Sequence, residues 1–414
     1  MDTNDLFAAA LPLSSPWTVT NSRFEGTPKR LVLTVGLESG LHHFDCPECA
    51  KSGCSVHDRR ERKWRHLNFW QYETELTARV PRVRCADCGI HQVAVPWARE
   101  GSGFTLMFEA MALRLVSEMP VSSVAQLMGE HDTRLWRIIH HYVSLAHQKS
   151  DWSQLKRISI DETSRKKGHS YVTNFIDSDS RKLLLMTVGK DADCVRAFAE
   201  ELRKHSAKPE QIEEVAIDMS TAFQKGVREH LPQAQPVFDR FHVMMLAGEA
   251  LDTVRKELIR ESGPLEKGSL WALRGNANRL STERQALRAR LCRQYCELGR
   301  AMGLREYLQD LWKYTDRKDA QEHLESWLSW AKRCRIKAFQ RLAKTIQKHQ
   351  DGILNYYENW TTSAAIESVN GRLQLARKRA RGYRNPANFR SIAYWIAGEL
   401  QPATGLPDPT PKPF

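Results

Sequence analysis

The order of the strands and helices predicted between residues 155 and 245 constrains this fold more than any other feature. Three apolar runs typical of strands come first, and a helix, a strand, a second helix and a last strand follow. Runs of this length and periodicity predict one mixed sheet with crossover helices. The predicted elements are strands Ile158–Asp161, His169–Ile176 and Lys182–Val188, helix Ala192–His205, strand Glu214–Ile217, helix Thr221–Leu231 and strand Pro236–Phe238.

Two aspartates end strands of this sheet, Asp161 the first and Asp218 the fourth. Three antiparallel strands followed by two crossover units describe a ribonuclease-H-like sheet, in which the first and fourth strands are neighbours. The two acids are therefore expected side by side. Glu367, just inside a helix predicted to open at 361–363, can converge on the same point. Together such carboxylates suit two hard metal ions, although each acid alone could be a solvated turn residue.

The chain from about Val243 to Trp360 is predicted to be nearly all helical, with Pro264 as its only proline. It follows Asp239 and His242, a D-x-x-H pair placed just after the last strand. We interpret it as an α-helical domain inserted into the core before Glu367. Its tryptophans are expected to pack between helices, although one could stack on a splayed base; they are Trp271, Trp312, Trp327 and Trp330.

Two C-x-x-C pairs near the N-terminus predict a structural zinc site with ligands Cys46, Cys49, Cys85 and Cys88. The alternating run from Tyr72 to Val83 is interpreted as a β-hairpin arm that delivers the second pair. Nine cysteines, an odd number in a long chain, suit a reducing cytosol better than a disulfide framework. Other residues could substitute for a ligand or support one, namely Cys54, His57, His42, His43 and His91.

Residues 104 to 146 have helical periodicity interrupted at Pro120 and Gly129. Ser122-Ser123 and Asp132-Thr133 are predicted to cap two successive helices. Two short helices joined by a glycine-containing turn outline a helix-turn-helix, and the second would offer a DNA groove Thr133, Arg134 and Arg137. Taken alone, the pattern fits an αα-hairpin used only for packing equally well.

The chain of 414 residues has a formal net charge of +13, which favours a polyanionic partner such as nucleic acid. The helix after Glu367 becomes strongly basic. Its cations could contact phosphates, or could only complement the helix dipole; with the turn that follows, they are Arg372, Arg377, Lys378, Arg379, Arg381 and Arg384. No apolar run reaches transmembrane length and the N-terminus lacks a basic signal region, so a cytoplasmic, nucleoid-associated protein is expected.

Taken together in this order, these motifs resemble the ISL-three family of bacterial insertion-sequence transposases over nearly the whole chain. The resemblance is carried by the two cysteine pairs, the helix-turn-helix and four short runs: Ile160-Asp161-Glu162-Thr163, Asp218-Met219-Ser220, Asp239-Arg240-Phe241-His242-Val243, and Ala365-Ile366-Glu367-Ser368-Val369-Asn370, which leads into Gly382-Tyr383-Arg384-Asn385.

The resemblance implies a D-D-E transposase whose triad is Asp161, Asp218 and Glu367, with Asp239 and His242 as auxiliary residues. Two Mg²⁺ or Mn²⁺ ions about 3.5–4 Å apart would support cleavage and strand transfer. The zinc and helix-turn-helix modules would bind double-stranded DNA at the terminal inverted repeats. Joining two ends to a target requires at least a homodimer.

The expected architecture is an α+β multidomain protein, with a zinc-binding module, a helix-turn-helix domain and a ribonuclease-H-like α/β core interrupted by an all-α insertion. The expected limits are 1–38 for an arm, 39–98 for zinc, 100–150 for helix-turn-helix, 155–245 and 359–400 for the core, 246–358 for the insertion, and 401–414 for a flexible tail. Two alternatives stay open: a structure-specific nuclease on the same core, and a non-catalytic DNA-binding regulator derived from a transposase.

Overall fold

The protein is described by a computed structural model that covers residues 3–11, 13–164, 171–275, 279–359 and 364–409. The chain forms two compact units. The first comprises Met1–Ala146 with Gln401–Phe414, and the second comprises His147–Leu400.

The first unit begins with one mixed sheet in the order β1-β2-β5-β4-β3, with β6 also paired to β5. Aromatic side chains fill its core, where Trp97 makes edge contacts with Trp17 and Trp64 at centroid distances of 5.0 and 5.4 Å. The elements are α1 (Thr3–Ala10), β1 (Trp17–Glu25), β2 (Arg30–Leu37), β3 (His43–Phe44), β4 (Cys54–Arg65), β5 (Glu73–Cys85) and β6 (Gly89–Gln92).

The run predicted as a β-hairpin arm is one long strand, β5, paired antiparallel with the preceding strand β4. Pro81 lies inside β5 without breaking it. On that side of β5, pairing with β2 ends at Ala78 and pairing with β6 begins at Arg82. Proline lacks an N–H to donate, so it is tolerated in the gap between these two ladders. β5 still delivers the second cysteine pair, as predicted.

Three helices follow in the first unit: α2 (Leu106–Glu118), α3 (Val121–Met128) and α4 (Asp132–Gln148), the last of which continues past residue 146. Gly129 ends α3 in the left-handed region at φ 68°, as its position predicts. The predicted caps were wrong by one to three residues. Pro120 caps α3, so Ser122 and Ser123 lie inside that helix. The ring of His131 accepts a hydrogen bond from the Thr133 amide at 3.3 Å at the start of α4, so Asp132 and Thr133 lie inside that helix.

A buried carboxylate connects α2 to α4. Glu109 is fully buried; its Oε1 accepts from the Ser102 hydroxyl at 2.8 Å, and its Oε2 accepts from the Tyr142 hydroxyl at 2.5 Å. Arg99 Nε donates to both oxygens at 3.0 and 3.1 Å. A buried charge is tolerated when its oxygens are satisfied in this way, and the three donors fix the two helices relative to each other.

The second unit is built on a five-stranded sheet in the order β11-β10-β7-β8-β9. β10 lies between β7 and β11 and is parallel to both, whereas β7, β8 and β9 form an antiparallel meander. The elements are β7 (Arg157–Ser164), β8 (Tyr171–Asp177), β9 (Leu183–Val188), α5 (Ala192–Lys204), β10 (Glu214–Ile217), α6 (Thr221–His230) and β11 (Gln235–Phe238).

The predicted element order and the neighbouring positions of the first and fourth strands are confirmed. One boundary was wrong by more than one residue. The first strand does not end at Asp161 but continues to Ser164, because residues 161 to 164 still pair with β8 although β10 has ended beside them. The predicted start of the second strand, His169, lies outside the described residues.

Helices cover both faces of this sheet. Ile158, Ile160 and Phe175 pack into a core with α5, whereas Val172 and Ile176 pack with the last two helices, α15 and α16. The insertion is helical, as predicted, and shares the first of these cores. The remaining helices are α7 (Arg240–Ser262), α8 (Ser269–Arg274), α9 (Thr282–Gln294), α10 (Cys296–Asp310), α11 (Arg317–Arg333), α12 (Lys337–Lys348), α13 (Gln350–Leu354), α14 (Tyr356–Asn359), α15 (Ala364–Arg379) and α16 (Pro386–Ala397).

The insertion's tryptophans divide into packing and surface residues. Trp327 is fully buried, and its indole N–H donates to the Leu304 carbonyl at 2.8 Å. Trp312 stacks beside Tyr357. Trp271 is 62% exposed, so it is the member of this set most accessible to a partner.

We predict that Glu109→Ala destabilises the first unit by about 3–5 kcal/mol, because it leaves Arg99 and the Tyr142 hydroxyl without their buried acceptor. Urea unfolding of the zinc-loaded protein measures the change. Glu118→Ala, an exposed position on the same helix, is the matched control and should change little. Equal stabilities of the two variants would contradict the role given to Glu109.

Candidate functional site

The parallel pairing of β7 and β10 positions Asp161 and Asp218. Val215 pairs with Ile158 and Ala216 with Ser159, so two further residues along the strands bring Asp218 beside Asp161. Both side chains are half-buried. Burial raises the pKa of Asp161, and the neighbouring Asp218 charge raises that pKa further. The predicted convergence of these two acids is therefore present.

A chain of side-chain hydrogen bonds fixes Asp161. Asn370 on α15 donates to Asp161 Oδ2 at 2.6 Å and accepts from the Thr163 hydroxyl at 2.9 Å. Asn174 on β8 donates to the Thr163 oxygen at 3.0 Å. These contacts tie α15 to the face of β7 that carries Asp161 and Thr163, and they lower the pKa of Asp161 against the effect of burial.

Glu367 lies on the same helix, three residues before Asn370, and is exposed. Residues three apart on a helix share a face, so Glu367 is directed toward the same side of α15 as the contact with Asp161. Among the described residues, the three carboxylates are not gathered within 4.8 Å of one another as the cysteine sulfurs are. The predicted start of this helix at 361–363 lies outside the described residues.

Asp239 and His242 stand at the start of α7. Asp239 accepts a hydrogen bond from the Phe241 amide at 2.9 Å and caps the helix. His242 Nδ1 lies 3.3 Å from Asp239 Oδ2 but makes no well-aligned hydrogen bond. The interaction with Asp239 raises the pKa of His242, and the charges of Asp218 and Asp161 raise it further. These interactions favour the protonated imidazole of His242 beside the two aspartates.

Sequence reasoning assigned no role to four residues of this site, namely Glu162, Thr163, Asn174 and Asn370, although three of them stand in the runs that carry the family resemblance. Burial and the Asp218 charge raise the pKa of Glu162, which therefore belongs to the acidic cluster. Its position directly after Asp161 is a signal that could have found it. Asn174 is fully buried and contacts Thr163 on the neighbouring strand. No local sequence motif indicates this contact.

The four predicted zinc ligands come together in the first unit. One sulfur from each of Cys46, Cys49, Cys85 and Cys88 lies within 4.8 Å of the others. Backbone amides of Asp87 and Cys88 lower the pKa of Cys85 to about 6, whereas the contact with Cys49 and burial raise the pKa of Cys88 to about 12. Four clustered thiols are the donor set of a closed structural zinc site.

The alternative ligands that we considered have other partners or lie in solvent. Cys54 is buried with its sulfur 3.5 Å from the Lys51 carbonyl. His57 Nδ1 accepts from Arg84 at 3.1 Å, and His91 Nε2 lies 2.6 Å from the Cys88 carbonyl. His42 and His43 are exposed. In the described part of the chain, the cluster comprises the four cysteines alone.

The three residues predicted to read DNA differ in their surroundings. Thr133 and Arg137 are exposed on α4. Arg134 instead forms an ion pair with Glu130, and its guanidinium lies 4.3 Å above the Phe104 ring. Because these contacts hold the Arg134 side chain, Arg137 is the better candidate for a phosphate or base contact.

Comparisons with known proteins identify three consecutive regions. Residues 158–393 match a family described as transposase of the ISL3 type, residues 93–143 match the helix-turn-helix domain of transposase family ISL3, and residues 43–88 match the zinc finger of related transposases. The first match alone spans more than half of the chain. The protein belongs to the ISL3, or ISL-three, transposase family.

Two curated relatives align over most of their length. The transposase for insertion sequence element IS1557 of Mycobacterium tuberculosis is 29% identical, with 94% of each chain covered. The transposase for insertion sequence element IS1001 of Bordetella parapertussis is 27% identical, with 86% of this chain and 89% of the relative covered. The family match also confirms the expected N-terminal order of zinc ribbon and helix-turn-helix.

The basic stretch of this family member is only partly available to a ligand. Arg372 donates to Glu399 at 3.0 Å and to the Arg181 carbonyl at 2.5 Å, so its guanidinium supports the fold. Arg377 is half-buried, whereas four cations are exposed: Lys378, Arg379, Arg381 and Arg384. No helix among the described residues is long and apolar enough to cross a membrane.

We predict that Asp161→Asn raises the thermal unfolding midpoint of the zinc-loaded protein at pH 7 without magnesium. Burial raises the pKa of Asp161 in the folded state, which means that folding favours the neutral carboxyl over the carboxylate. The contribution of Asp161 to the free energy of unfolding is therefore highest at low pH and falls as the pH rises through that pKa. An uncharged amide avoids this loss. The gain should shrink near pH 4, close to the ordinary aspartate pKa of about 3.9.

Thermal scans at the two pH values measure the effect. Asp193→Asn, which removes an exposed aspartate from α5, is the control and should show no such pH-dependent gain. A lower midpoint for Asp161→Asn at pH 7 would mean that Asp161 stabilises the fold, contrary to this account.

Proposed function

We propose that this ISL3 family member is a D-D-E transposase that binds the terminal inverted repeats of its element, cuts there and transfers the freed ends to target DNA. The observation that carries the proposal is the strand register that brings Asp218 beside Asp161, with α15 bonded to Asp161 through Asn370. Glu367 on α15 is the third member of the triad. The site lies within the region that matches the transposase family.

The sheet order supports a ribonuclease-H-like catalytic core. A three-stranded antiparallel meander is followed by two strands that join parallel to its first strand. Short parallel strands place their carboxyl ends at one edge of the sheet, so side chains that follow them share a site. In sequence, the all-α insertion lies between these strands and α15, the helix that carries Glu367. In the fold, α15 packs against β7 and β8.

The acidic residues fit a divalent cation such as Mg²⁺ or Mn²⁺. Asp161 and Asp218 supply hard carboxylate oxygens, and Glu367 would complete the set. Burial raises the pKa of Asp161 and of Glu162 and the charge of Asp218 raises both further, so a bound cation would favour their ionised forms. When two ions are bound, they activate the attacking hydroxyl and stabilise the leaving oxygen.

The remaining residues have supporting roles in this proposal. Asn370 donates to one oxygen of Asp161 and so restricts the rotation of this carboxylate. Asp239 orients His242 and favours its protonated form, which places a cation where a phosphate of DNA could be contacted. This is the auxiliary role proposed for the D-x-x-H pair.

DNA binding is assigned to the first unit and to the basic helix. The helix-turn-helix would present the start of α4 to the major groove, with Thr133 and Arg137 exposed there. The zinc cluster would stabilise the adjoining sheet, and the exposed cations after Glu367 would contact phosphates. Two element ends must be held together for joining, so we propose at least a dimer in the working complex.

We predict that the full-length protein, with DNA carrying its element ends and Mg²⁺ or Mn²⁺, nicks at the ends and forms joined products. Asp218→Ala should remove both activities, by more than about 100-fold, because the cluster loses a ligand. Glu213→Ala is the matched control, since Glu213 is exposed at the opposite end of β10 and pairs only with Lys156 among the contacts described here.

The alternatives predict different results in this assay. Nicking of branched or hybrid substrates without joined products would indicate a nuclease. End binding without cutting, unchanged by Asp218→Ala, would indicate a regulator. Cleavage and joining that survive Asp218→Ala would exclude the proposed triad.

We predict that Arg137→Ala weakens binding to the element ends about 10-fold and reduces the slope of log affinity against log salt by roughly 1, if it neutralises one phosphate. Electrophoretic mobility shift at several salt concentrations measures both. Arg114→Ala removes an exposed arginine from α2 and is the matched control. Equal weakening by both variants would point to overall charge rather than to α4.

A further inference from the structure

Two histidines and a glutamate form a cluster in the second unit that the transposition chemistry does not use. His147 lies in the last turn of α4, Glu201 in the last turn of α5, and His205 directly after it. One ligand atom from each lies within 4.8 Å of the others. Both histidines are buried, and Glu201 is partly buried.

Backbone carbonyls select the tautomer of each ring. His147 Nε2 donates to the Leu184 carbonyl at 2.8 Å, and His205 Nδ1 donates to the Ser150 carbonyl at 2.9 Å. A neutral imidazole has one N–H, so each donation leaves a lone pair on the other nitrogen. A carbonyl that accepts the outer N–H is the usual second partner of a metal-bound histidine.

The third side chain supplies a negative charge. Glu201 Oε1 lies 3.4 Å from His205 Nε2, and the other oxygen accepts from Lys204 Nζ at 2.8 Å. Burial raises the pKa of Glu201, but the hydrogen bond and charge of Lys204 lower it, and the net pKa is lowered. Burial lowers the pKa of His147. A carboxylate and a neutral imidazole are the protonation states that bind a metal.

Aromatic side chains hold the rings in place. Trp152 stacks on His205 with a centroid distance of 3.9 Å, and Tyr394 stacks on His147 at 4.3 Å. The Tyr394 hydroxyl in turn accepts from the Met186 amide at 3.2 Å. The donors are therefore oriented before any ion arrives, and the partly exposed Glu201 side provides a route of entry.

We propose that His147, Glu201 and His205 bind a divalent transition-metal ion, with zinc as the preferred occupant and water as a fourth ligand. Two imidazole nitrogens and one carboxylate oxygen suit zinc far better than magnesium. The ion would join the start of the second unit to α5. The site is separate from the four cysteines and shares no residue with the acidic cluster.

Metal content tests the proposal directly. The full-length protein, carrying Asp218→Ala so that the acidic cluster is weakened, is reloaded with zinc after chelation and analysed by mass spectrometry. Two zinc ions per chain are expected, falling to one in Glu201→Gln. The matched control is Glu200→Gln, the exposed neighbouring residue, which should keep two. One ion per chain in all three proteins would overturn the proposal.

Cobalt distinguishes the two sites by their donors. Binding at the cysteines produces an intense thiolate charge-transfer band, whereas binding to nitrogen and oxygen produces only weaker visible absorption. The parent protein should show both, and Glu201→Gln and His205→Gln should each lose only the second. Circular dichroism checks that the variants fold. If the parent saturates with the thiolate band alone, the site does not bind metal.

Discussion

The pairing of β7 with β10 is the constraint on which the candidate site depends. Residues at equivalent positions of neighbouring parallel strands lie beside each other, so this register alone brings Asp218 to Asp161. β7 continues three residues past Asp161 because β8 still pairs with it. That extension carries Thr163, whose hydroxyl accepts a hydrogen bond from Asn174 and donates one to Asn370 on α15. β7 therefore positions Asp161 beside Asp218 and also contacts α15, the helix that carries Glu367.

This arrangement opposes the stability of the fold. Burial raises the pKa of Asp161 and of the neighbouring Glu162, and the charge of Asp218 raises both further, so the ionised forms are unfavourable unless a cation is near. The protein supplies part of the compensation through Asn370 and through His242, whose pKa is raised in return. The divalent metal that we propose for this site would neutralise the remaining negative charge. Destabilised clusters of this kind are typical where function and stability compete.

The sequence predicted what depends on strand order and short spacing. The five strands of the second unit, the neighbouring positions of Asp161 and Asp218, and the four-cysteine cluster all follow from local patterns. It failed where tertiary contacts decide. The extension of β7 depends on β8, and the packing of Arg134 on Phe104 joins residues far apart in the chain. Asn174 and the histidine–glutamate cluster carry no motif, because their partners come from separate elements.

The charged residues of the first unit show why net charge alone is a poor guide to DNA contacts. Arg65 forms an ion pair with Glu130 at 3.5 Å, and Glu130 also holds Arg134. Burial lowers the pKa of Arg65. Its guanidinium also donates to the Met128 carbonyl and so connects β4 to the end of α3. Arg65 thus links the helix-turn-helix to the zinc-bearing sheet, whereas Arg134 stabilises the helix-turn-helix itself. Arg137 is exposed on α4 and has no such structural role among the described contacts, which is why the proposed DNA contact is assigned to it rather than to Arg134.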